Sequence, residues 1–540
     1  MSERKNTKPQ LSEELDLEEL NQYFNLSPTD LAEIKECRGS VNRVGFAIQL
    51  CCLRWFGFLV ADLELTPAPV VAVLLQQLRI TDTVDLALYA QSKNTATYHQ
   101  ERIREYLGFR KCDEHQRSRL LSHLAETVVK LPRTADLLDI ACEWLYAQKI
   151  VRPATRTLQD IITEARSLGM DRVYKLVSES LTTEQKTDID KLLEGNTESQ
   201  GGTSAIEELR KPAKRESVKS MNELVARLER LQALQFGAEI LKLVPLPTRQ
   251  MLASWGYKYD AWSLRRFEKP KCYSIVVAFL AAALADTTDA IVDMHERLNT
   301  HYHNKAREKK DSLVREEEEA RTIAIAAFED IGTIVVNDIV EDKDVRIEIF
   351  KVRSKEDLRQ LLEACRSKKL GDRSHLGFVS GYYGEMRKYS SQLLRLMPYK
   401  FKENSDLADA VDYLNKFNES GKKDLGKDAP TAFLSKRWRK HVVRKVKGKE
   451  SVSKPDWEAA LHATIVEQTK AGELTYANSR RWGDLEDLLI PIDEWSRTRL
   501  SHYQKLSLPV DSVEQIAMMR EALESITSTV NQGVPTNKLL

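Results

Sequence analysis

The chain has 540 residues, more than one hydrophobic core usually supports, so several domains are expected at about 150 residues per domain. Hydrophobic residues make up 42% and charged residues 30% of the chain, a composition that excludes wholesale disorder. Lysine and arginine number 82 against 81 aspartates and glutamates, so any polyanion has to bind a local cluster of charge.

The cysteines and the amino terminus indicate the cellular context. Seven cysteines occur without any C-x-x-C pair, so neither a secreted disulfide framework nor a zinc-ribbon spacing is present. The first 20 residues lack the apolar core of a signal peptide, and apolar stretches such as 274–285 are too short to span a bilayer. The sequence therefore predicts a cytoplasmic protein without membrane contact.

Apolar residues recur with helical spacing through most of the chain. Amphipathic runs favour helices over 66–78, 134–149, 155–167 and 217–243. Two short β-branched runs, 333–340 and 346–350, fit a strand or a helix, and their helical flanks favour helix. A small β-hairpin is expected near 473–482, where Asn478 and Ser479 interrupt a Leu-Thr-Tyr run. The predicted fold is mainly α, with several helical domains in series.

Polar, glycine-rich breaks suggest where the domains end. The clearest break begins at 194, and a second one lies at 418–430. The predicted organisation is an N-terminal helical DNA-binding region, a polar linker, a central helical region, a second linker, and a basic scaffold region. Their bounds are 1–193, 194–216, 217–417, 418–430 and 431–540.

The segment 436–449, KRWRKHVVRKVKGK, contains no acidic residue. Charge runs of this length are usually solvated helix ends. Here arginine alternates with Trp438, and a second Arg-Arg-Trp follows at 480–482, which favours a nucleic-acid surface because guanidinium groups bind phosphate and an indole ring stacks on bases. The predicted DNA-binding residues of this region are Lys436, Arg437, Trp438, Arg439, Lys440, Arg444, Lys445, Lys447, Arg480 and Arg481.

Two weaker basic patches lie in the N-terminal region. The first patch lies at 38–43, at neighbouring positions of a helix that continues into an apolar run. The second patch surrounds the sequence EYLGFRKC at 105–112. Local capping and ion pairing explain them about as well as DNA binding does. The candidate DNA-binding residues here are Arg38, Asn42, Arg43, Arg102, Arg104 and Arg110.

Other motifs do not support an enzymatic site. The run 421–427 superficially matches a phosphate loop, but Asp428 stands where Ser or Thr must coordinate magnesium. His295, His301 and His303 are close in sequence, yet no cysteine or carboxylate completes a metal-ligand spacing. No catalytic residue, metal ligand, cofactor or small-molecule substrate is predicted from this chain.

Five ordered stretches resemble transposases of the Tn-three family, which move DNA replicatively through cointegrates. Residues 26–57 resemble the opening domain, 98–110 the next block and 264–307 a central helical block. Residues 433–443 and 473–495 resemble the two blocks that precede the catalytic domain. The matches are long and distributed, although none is a catalytic signature.

The resemblance implies binding to the terminal inverted repeats of a transposon by helical domains. It also implies a following RNase H-like domain in which an Asp-Asp-Glu triad holds magnesium for DNA strand transfer. The chain reaches Leu540 before such a domain, so the expectation is a truncated transposase without its own catalytic centre, arising from a frameshift, a split gene or an engineered boundary. Magnesium is expected only in that absent domain.

The predicted function is therefore sequence-specific binding of double-stranded DNA at inverted repeats, in a bacterial cytoplasm and on the nucleoid when bound. Three alternatives remain: one part of a split transposase that needs its missing half, an inhibitory fragment that competes for the ends, and a helical scaffold for other proteins. A homodimer through the central helices is a further expectation. Whether the chain belongs to an enzyme is left open.

Overall fold

The computed structural model describes a chain that divides into two units. The first comprises Met1–Arg215 and Asn222–Ala290, and the second comprises Glu216–Met221 and Ile291–Leu540. The described residues are 17–89, 93–132, 134–194, 204–212, 214–234, 241–339, 341–366, 374–420, 425–426, 428–446, 449–506 and 508–533. Part of the first predicted linker and part of the second, including most of the phosphate-loop-like run, lie outside these residues.

The first unit is helical throughout its described part. Its helices are α1 (Leu17–Tyr23), α2 (Pro28–Lys35), α3 (Ser40–Phe56), α4 (Ala68–Leu78), α5 (Lys93–Leu107), α6 (Glu114–Val128), α7 (Thr134–Ala147), α8 (Thr155–Glu179), α9 (Thr183–Leu193), α10 (Ala205–Leu209), α11 (Val218–Ala233), α12 (Leu246–Lys258) and α13 (Ala261–Arg266). A long helix, α14 (Lys269–Val335), begins in this unit, and its residues from Ile291 are counted with the second.

Helix α3 is the centre of an N-terminal core. Its residues from Val44 to Leu53 are buried, and it ends at Gly57, whose φ of 71° is a left-handed cap that glycine adopts without strain. Arg54 on this helix donates to the fully buried Asp30 of α2, with Nη1 to Oδ2 at 2.9 Å. Burial raises the pKa of Asp30, but hydrogen bonds from Arg54, Ser27 and Tyr106 outweigh it and lower that pKa overall.

A second core in the same unit is formed by α6, α7, α8, α12 and the first part of α14. The backbones of α6 and α8 approach closely at Gly169, because a Cβ there would lie 2.5 Å from the carbonyl oxygen of Ala125. The apolar window of α14 has a mean hydropathy of 1.9 and is 78% buried. By length and composition this helix is long and apolar enough to cross a membrane, but the buried core helix of a globular protein passes the same test.

The second unit continues α14 with shorter helices and two small sheets. Its helices are α15 (Val345–Val352), α16 (Lys355–Arg366), α17 (Leu376–Val379), α18 (Tyr383–Leu396), α19 (Asp406–Glu419), α20 (Lys436–Val442), α21 (Lys454–Lys470), α22 (Ile492–Lys505) and α23 (Ser512–Gly533). Its strands are β1 (Tyr399–Phe401), β2 (Val443–Val446), β3 (Lys449–Val452) and β4 (Leu474–Tyr476). Strands β1 and β4 pair antiparallel, as do β2 and β3.

The prediction of a mainly α fold with a small β element is confirmed. Strand β4 lies in the predicted region near 473–482 and the chain turns at Asn478, whose φ is 64°, but β4 pairs with the distant strand β1. The local hairpin of the described chain is β2–β3, inside the basic segment. The helix favoured over strand at 346–350 is also present, as part of α15.

Helix α21 forms the core of the second unit. Its residues from Asp456 to Val466 are buried, including Trp457, whose Nε1 donates to the carbonyl of Pro430 at 2.8 Å. A chain of polar groups crosses this core. His295 Nε2 lies 2.8 Å from His462 Nδ1, and His462 Nε2 lies 2.9 Å from Ser390 Oγ. The paired groups satisfy one another where water does not reach them.

The imidazoles of His295 and His462, in this row of buried polar groups, are both held neutral. Burial lowers the pKa of His295 to about 4, and burial together with His295 lowers the pKa of His462 well below its ordinary value. Glu458, on the same helix, has a pKa raised by burial, and hydrogen bonds from Ser390 and Tyr383 partly offset that rise. The second unit therefore folds around three ionisable groups whose charged forms are disfavoured.

Replacement of Gly169 by Ala tests the close approach of α6 and α8. The new methyl group meets a backbone oxygen that cannot rotate away, so G169A should lower the free energy of unfolding by about 1–3 kcal/mol. Gly384, in α18, has no atom within 4 Å of an added Cβ, and G384A should be neutral or slightly stabilising. Urea denaturation followed by circular dichroism measures both, and equal effects would contradict the close approach.

Acid should destabilise the second unit. In the unfolded chain His295 and His462 protonate near 6.5. In the folded chain burial lowers the pKa of His295 to about 4 and holds that of His462 well below its ordinary value, so the unfolded state binds more protons below pH 6.5. Stability should fall as pH drops below 6.5, by up to about 1.4 kcal/mol per pH unit for each histidine. Glu458 opposes this at the acid end, because its raised pKa lets the folded state bind a proton first.

Urea titrations at pH 7.5, 6.5 and 5.5 measure this dependence. The variant His462→Gln keeps hydrogen-bonding capacity and removes one titrating group, so its stability should depend less steeply on pH than that of the unchanged chain. An equally steep dependence would show that other groups take up the protons.

Candidate nucleic-acid interface

Helix α20 presents most of the predicted basic segment to solvent. Ser435 caps the helix, its Oγ accepting from the Trp438 amide at 3.4 Å, and Trp438 and Val442 are both buried. Because these two residues are four positions apart, they lie on one face and fix the orientation of the helix. The opposite side exposes four cations: Lys436, Arg437, Arg439 and Lys440.

Trp438 does not have the role that the sequence suggested. Its side chain is 3% exposed, and its ring meets that of His303 edge-on, with centroids 6.0 Å apart. An indole buried in this way anchors α20 and offers no face on which a base could stack. The prediction of a stacking contact is therefore corrected: the tryptophan positions the cations.

The hairpin that follows α20 uses one of its cations internally. Arg444 Nη2 lies 2.7 Å from Asp456 Oδ2, an oxygen that also accepts from Ser453 Oγ at 2.6 Å. Asp456 is 1% exposed, whereas the Arg444 side chain is 61% exposed. Arg444 thus neutralises a buried carboxylate while it faces water. Lys445 lies in β2 without a described side chain, and Lys447 lies outside the described residues.

The second Arg-Arg-Trp motif is also engaged with protein groups. Arg481 forms an ion pair with Asp293 of α14, and Trp482 Nε1 donates to the other oxygen of the same carboxylate at 3.3 Å. Arg480 is exposed and has an interaction of its own within the chain. The motif therefore holds the loop after β4 against α14, and the charge of Arg481 is partly compensated.

In the first unit, the patch near α3 divides into structural and exposed groups. Arg43 donates from Nε to the carbonyl of Cys37 at 3.0 Å and from Nη2 to that of Lys35 at 3.4 Å, so it satisfies carbonyls at the end of α2. Asn42 donates to the carbonyl of Arg38 at 3.0 Å. The side chain of Arg38 is exposed.

The patch around α5 behaves in the same way. Arg102 contacts Glu33 Oε2 at 2.7 Å and lies over the ring of Phe46, and Arg104 pairs with Glu101 at 3.4 Å. Their side chains are only 19% and 12% exposed. Arg110 is exposed beyond the end of α5. The capping and pairing explanation therefore describes Arg102 and Arg104, while Arg110 has the exposure that a phosphate contact requires.

A cleft in the second unit collects basic groups that the sequence does not place together. Its volume is about 460 Å³, and its walls come from α14, from the start of α17, from α20 and from α21. The basic side chains that line it are His303, Arg307, His375, Arg437, Lys440 and His441. Ser374 and Ser435 add hydroxyl groups, and Glu467 is the acidic member of this described lining.

Three partly buried histidines, His303, His375 and His441, line the cleft. His303 Nδ1 lies 3.3 Å from His375 Nε2, and His303 Nε2 is buried without a hydrogen-bond partner. Burial, His375 and Arg307 lower the pKa of His303 to about 4. The pKa values of His375 and His441 are lowered too, in both cases chiefly by burial, so these rings are neutral near pH 7.

In the sequence His303 was considered only as a metal ligand and rejected, and His375, His441 and Arg307 were not selected. They lie in separate segments, on α14, before α17 and in α20, and only folding brings them together. The one available signal was that His441 lies within the basic segment. Among the described residues, no group of three or more His, Cys, Asp or Glu is arranged to hold a metal ion.

Comparison with known proteins gives consistent matches. A family model described as a domain of unknown function, DUF4158, matches residues 2–165. The chain is 24% identical over 531 residues to the transposase for transposon Tn1546 of Enterococcus faecium, covering 96% of this chain and 53% of that protein. It is 26% identical over 517 residues to the transposase for transposon gamma-delta of Escherichia coli strain K12, covering 93% and 50%.

A third relative agrees in extent. The transposase for transposon Tn21 of Escherichia coli is 24% identical over 526 residues, which cover 97% of this chain and 52% of that protein. The chain thus spans about half the length of the curated relatives that it matches. Its similarity to transposases extends over nearly all of its own length.

The ion pair between the exposed Arg444 and the buried Asp456 leads to a prediction about stability. Arg444→Ala leaves the buried Asp456 with Ser453 as its remaining hydrogen-bond partner, and should lower the free energy of unfolding by about 1 kcal/mol, since water can partly replace an exposed guanidinium. Arg439→Ala, an exposed position on α20, should leave stability unchanged. Thermal denaturation of the two variants measures the difference, and equal midpoints would show that the ion pair is not stabilising.

Proposed function

We propose that this chain binds double-stranded DNA in transposition, at the terminal inverted repeats of a transposon. The observation that carries the proposal is the face of α20, where Lys436, Arg437, Arg439 and Lys440 are all exposed on a helix fixed by the buried Trp438. Four cations held on a rigid element suit a phosphate backbone, because their positions are set before DNA arrives. The similarity to proteins named as transposases supports the same conclusion.

Contacts of this kind position a protein on DNA without reading its sequence. Preference for inverted repeats needs side chains at base edges, and these belong in our proposal to the helical first unit. Arg38 and Arg110 are exposed there and are the predicted phosphate contacts of that unit, whereas Arg102 and Arg104 hold the fold. No catalytic role is proposed for a residue of this chain, and magnesium remains an expectation for the domain implied by the family resemblance.

A protein-binding role is the second candidate, and helix α23 favours it. Exposed apolar side chains recur along this helix at alternating spacings of three and four, at Ile516, Met519, Leu523, Ile526 and Val530. This is the spacing with which one helix packs along another. Stable association with another protein in high salt and without DNA would support this role. The split transposase, the inhibitory fragment and the homodimer remain predictions beside it.

The test of DNA binding replaces the four exposed cations of α20 by Ala. Binding should weaken for an inverted-repeat duplex and for a scrambled duplex alike. The slope of log affinity against log salt should decrease by about 0.9 for each phosphate that the variant no longer neutralises. Fluorescence anisotropy at several salt concentrations gives both quantities.

A matched control removes the same charge elsewhere in the second unit. Lys343, Lys351, Arg359 and Lys388 are exposed and each lies in an ion pair with a nearby glutamate. Their replacement by Ala should leave the salt slope almost unchanged. If the two quadruple variants behave alike, α20 is not the phosphate surface. If the unchanged chain binds both duplexes equally, the inverted-repeat part of the proposal fails.

A further inference from the structure

The cleft beside α20 shares two of the four exposed cations of that helix. Arg437 and Lys440 line the cleft, whereas Lys436 and Arg439 do not. Two cations of α20 therefore converge with Arg307 of α14 on one open cleft, which His303, His375 and His441 also line. A surface that merely attracts a polyanion needs no such convergence, so the cleft has the form of a site for one defined group.

We propose that this cleft binds a single phosphate group and that its histidines take up a proton when the group enters. Arg307, Arg437 and Lys440 supply the permanent charge, and Ser374 and Ser435 offer hydroxyl groups. The inference deepens the proposed function and rests on it in one respect: a phosphate of the DNA backbone is the ligand source that the function supplies.

The composition of the cleft selects an anion over a metal ion. Three imidazoles alone would suit a transition metal, but two guanidinium groups and an ammonium group repel a cation in the same space. Glu467 is one carboxylate against three cations among the described lining residues, so the local charge is positive before any histidine is protonated. Guanidinium groups also match the geometry of phosphate oxygens.

The unpartnered nitrogen of His303 indicates that this imidazole is one that takes up a proton when an anion binds. His303 Nε2 is buried and has no partner, although a buried polar nitrogen normally has one. In the neutral ring its two nitrogens provide one donor and one acceptor, and the partner at Nδ1 is His375. Protonation of His303 makes both of its nitrogens donors, so that Nδ1 donates to His375 and Nε2 also carries a proton.

Charged groups from every neighbouring element act on the three rings. Arg307 and Lys310 of α14 disfavour protonation of His375, and Asp311 favours it. Lys440 of α20 and Arg444 of β2 disfavour protonation of His441, while Asp456 of α21 favours it. Burial is the largest cause for each ring, the cations add to it, and the pKa of each ring is lowered.

An anion reverses this balance. A phosphate between the cations and the rings lowers the free energy that is needed to protonate a histidine. The cleft with a bound phosphate therefore binds more protons than the cleft without one. By linkage, affinity for the anion should then rise as pH falls, between the pKa values of the empty and the occupied cleft. The position of His441 suits this role, because its ring is held against Gly377, where a Cβ would lie 3.3 Å from Nδ1.

Sulfate is the probe for the test, since its charge does not change between pH 6 and pH 8 and free phosphate itself titrates there. Calorimetric titration of the full chain at constant ionic strength, in two buffers of different ionisation enthalpy, gives affinity and proton uptake together. Binding should be about five- to tenfold tighter at pH 6 than at pH 8, with net proton uptake. Thermal denaturation at each pH confirms that the chain stays folded.

Three variants assign the effect to the cleft. His375 is partly exposed, so the variant His375→Gln should keep the fold. Its sulfate affinity should change less than twofold between pH 6 and pH 8. Arg437→Gln should weaken sulfate binding at both pH values by about tenfold. Lys388→Gln, in α18 and outside both the cleft and the exposed face of α20, should behave as the unchanged chain. No sulfate binding, or a pH effect that survives in His375→Gln, would overturn the inference.

Competition identifies the source of the phosphate. A blunt duplex without terminal phosphates, if it removes the proton-linked sulfate signal, places a backbone phosphodiester in the cleft. Removal of that signal by a nucleoside monophosphate and not by the duplex places a phosphomonoester there. Anisotropy with the same duplex keeps the two proposals apart: DNA binding without proton-linked sulfate binding overturns the cleft alone, and the reverse result overturns the proposed function alone.

Discussion

Burial along the helix Lys269–Val335 is the constraint on which both units depend. Taken by itself, the first unit packs an apolar stretch of this helix, from Cys272 to Ala283, into its larger core. In the second unit the same helix contributes His295 and His303, which are polar side chains in a buried setting. One helix therefore contributes an apolar stretch to the core of the first unit and hydrogen-bonded histidines to the second.

The buried polar side of this helix explains why the second unit needs specific partners. An apolar core tolerates many arrangements, but a buried imidazole is stable only where a partner accepts or donates. His295 finds that partner in His462 of α21, and the carboxylate of Asp293 finds Arg481 and Trp482. These directional contacts fix which loops and helices lie against α14, at the cost of sensitivity to acid.

The near balance of positive and negative charge in the sequence is accompanied by many contacts between arginines and acceptor groups of the same chain. Many arginines that look like a DNA surface in the sequence are bound to carboxylates or carbonyls of the chain itself, as Arg43, Arg102 and Arg104 show. The face of α20 differs from these arginines, because Trp438 is buried and the cations around it are exposed. A local excess of positive charge stays exposed where a buried apolar side chain, and not an ion pair, orients the helix.

The sequence by itself determined the mainly α fold, the approximate helices and the location of the basic segment, because helical periodicity and charge runs are local properties. It did not determine which cations face solvent. Trp438 was expected at the surface and is in the core, and β4 pairs with a strand far away in the chain. Burial and pairing between distant segments depend on the whole packing, and so do the three histidines of the cleft, which only the tertiary structure brings into one site.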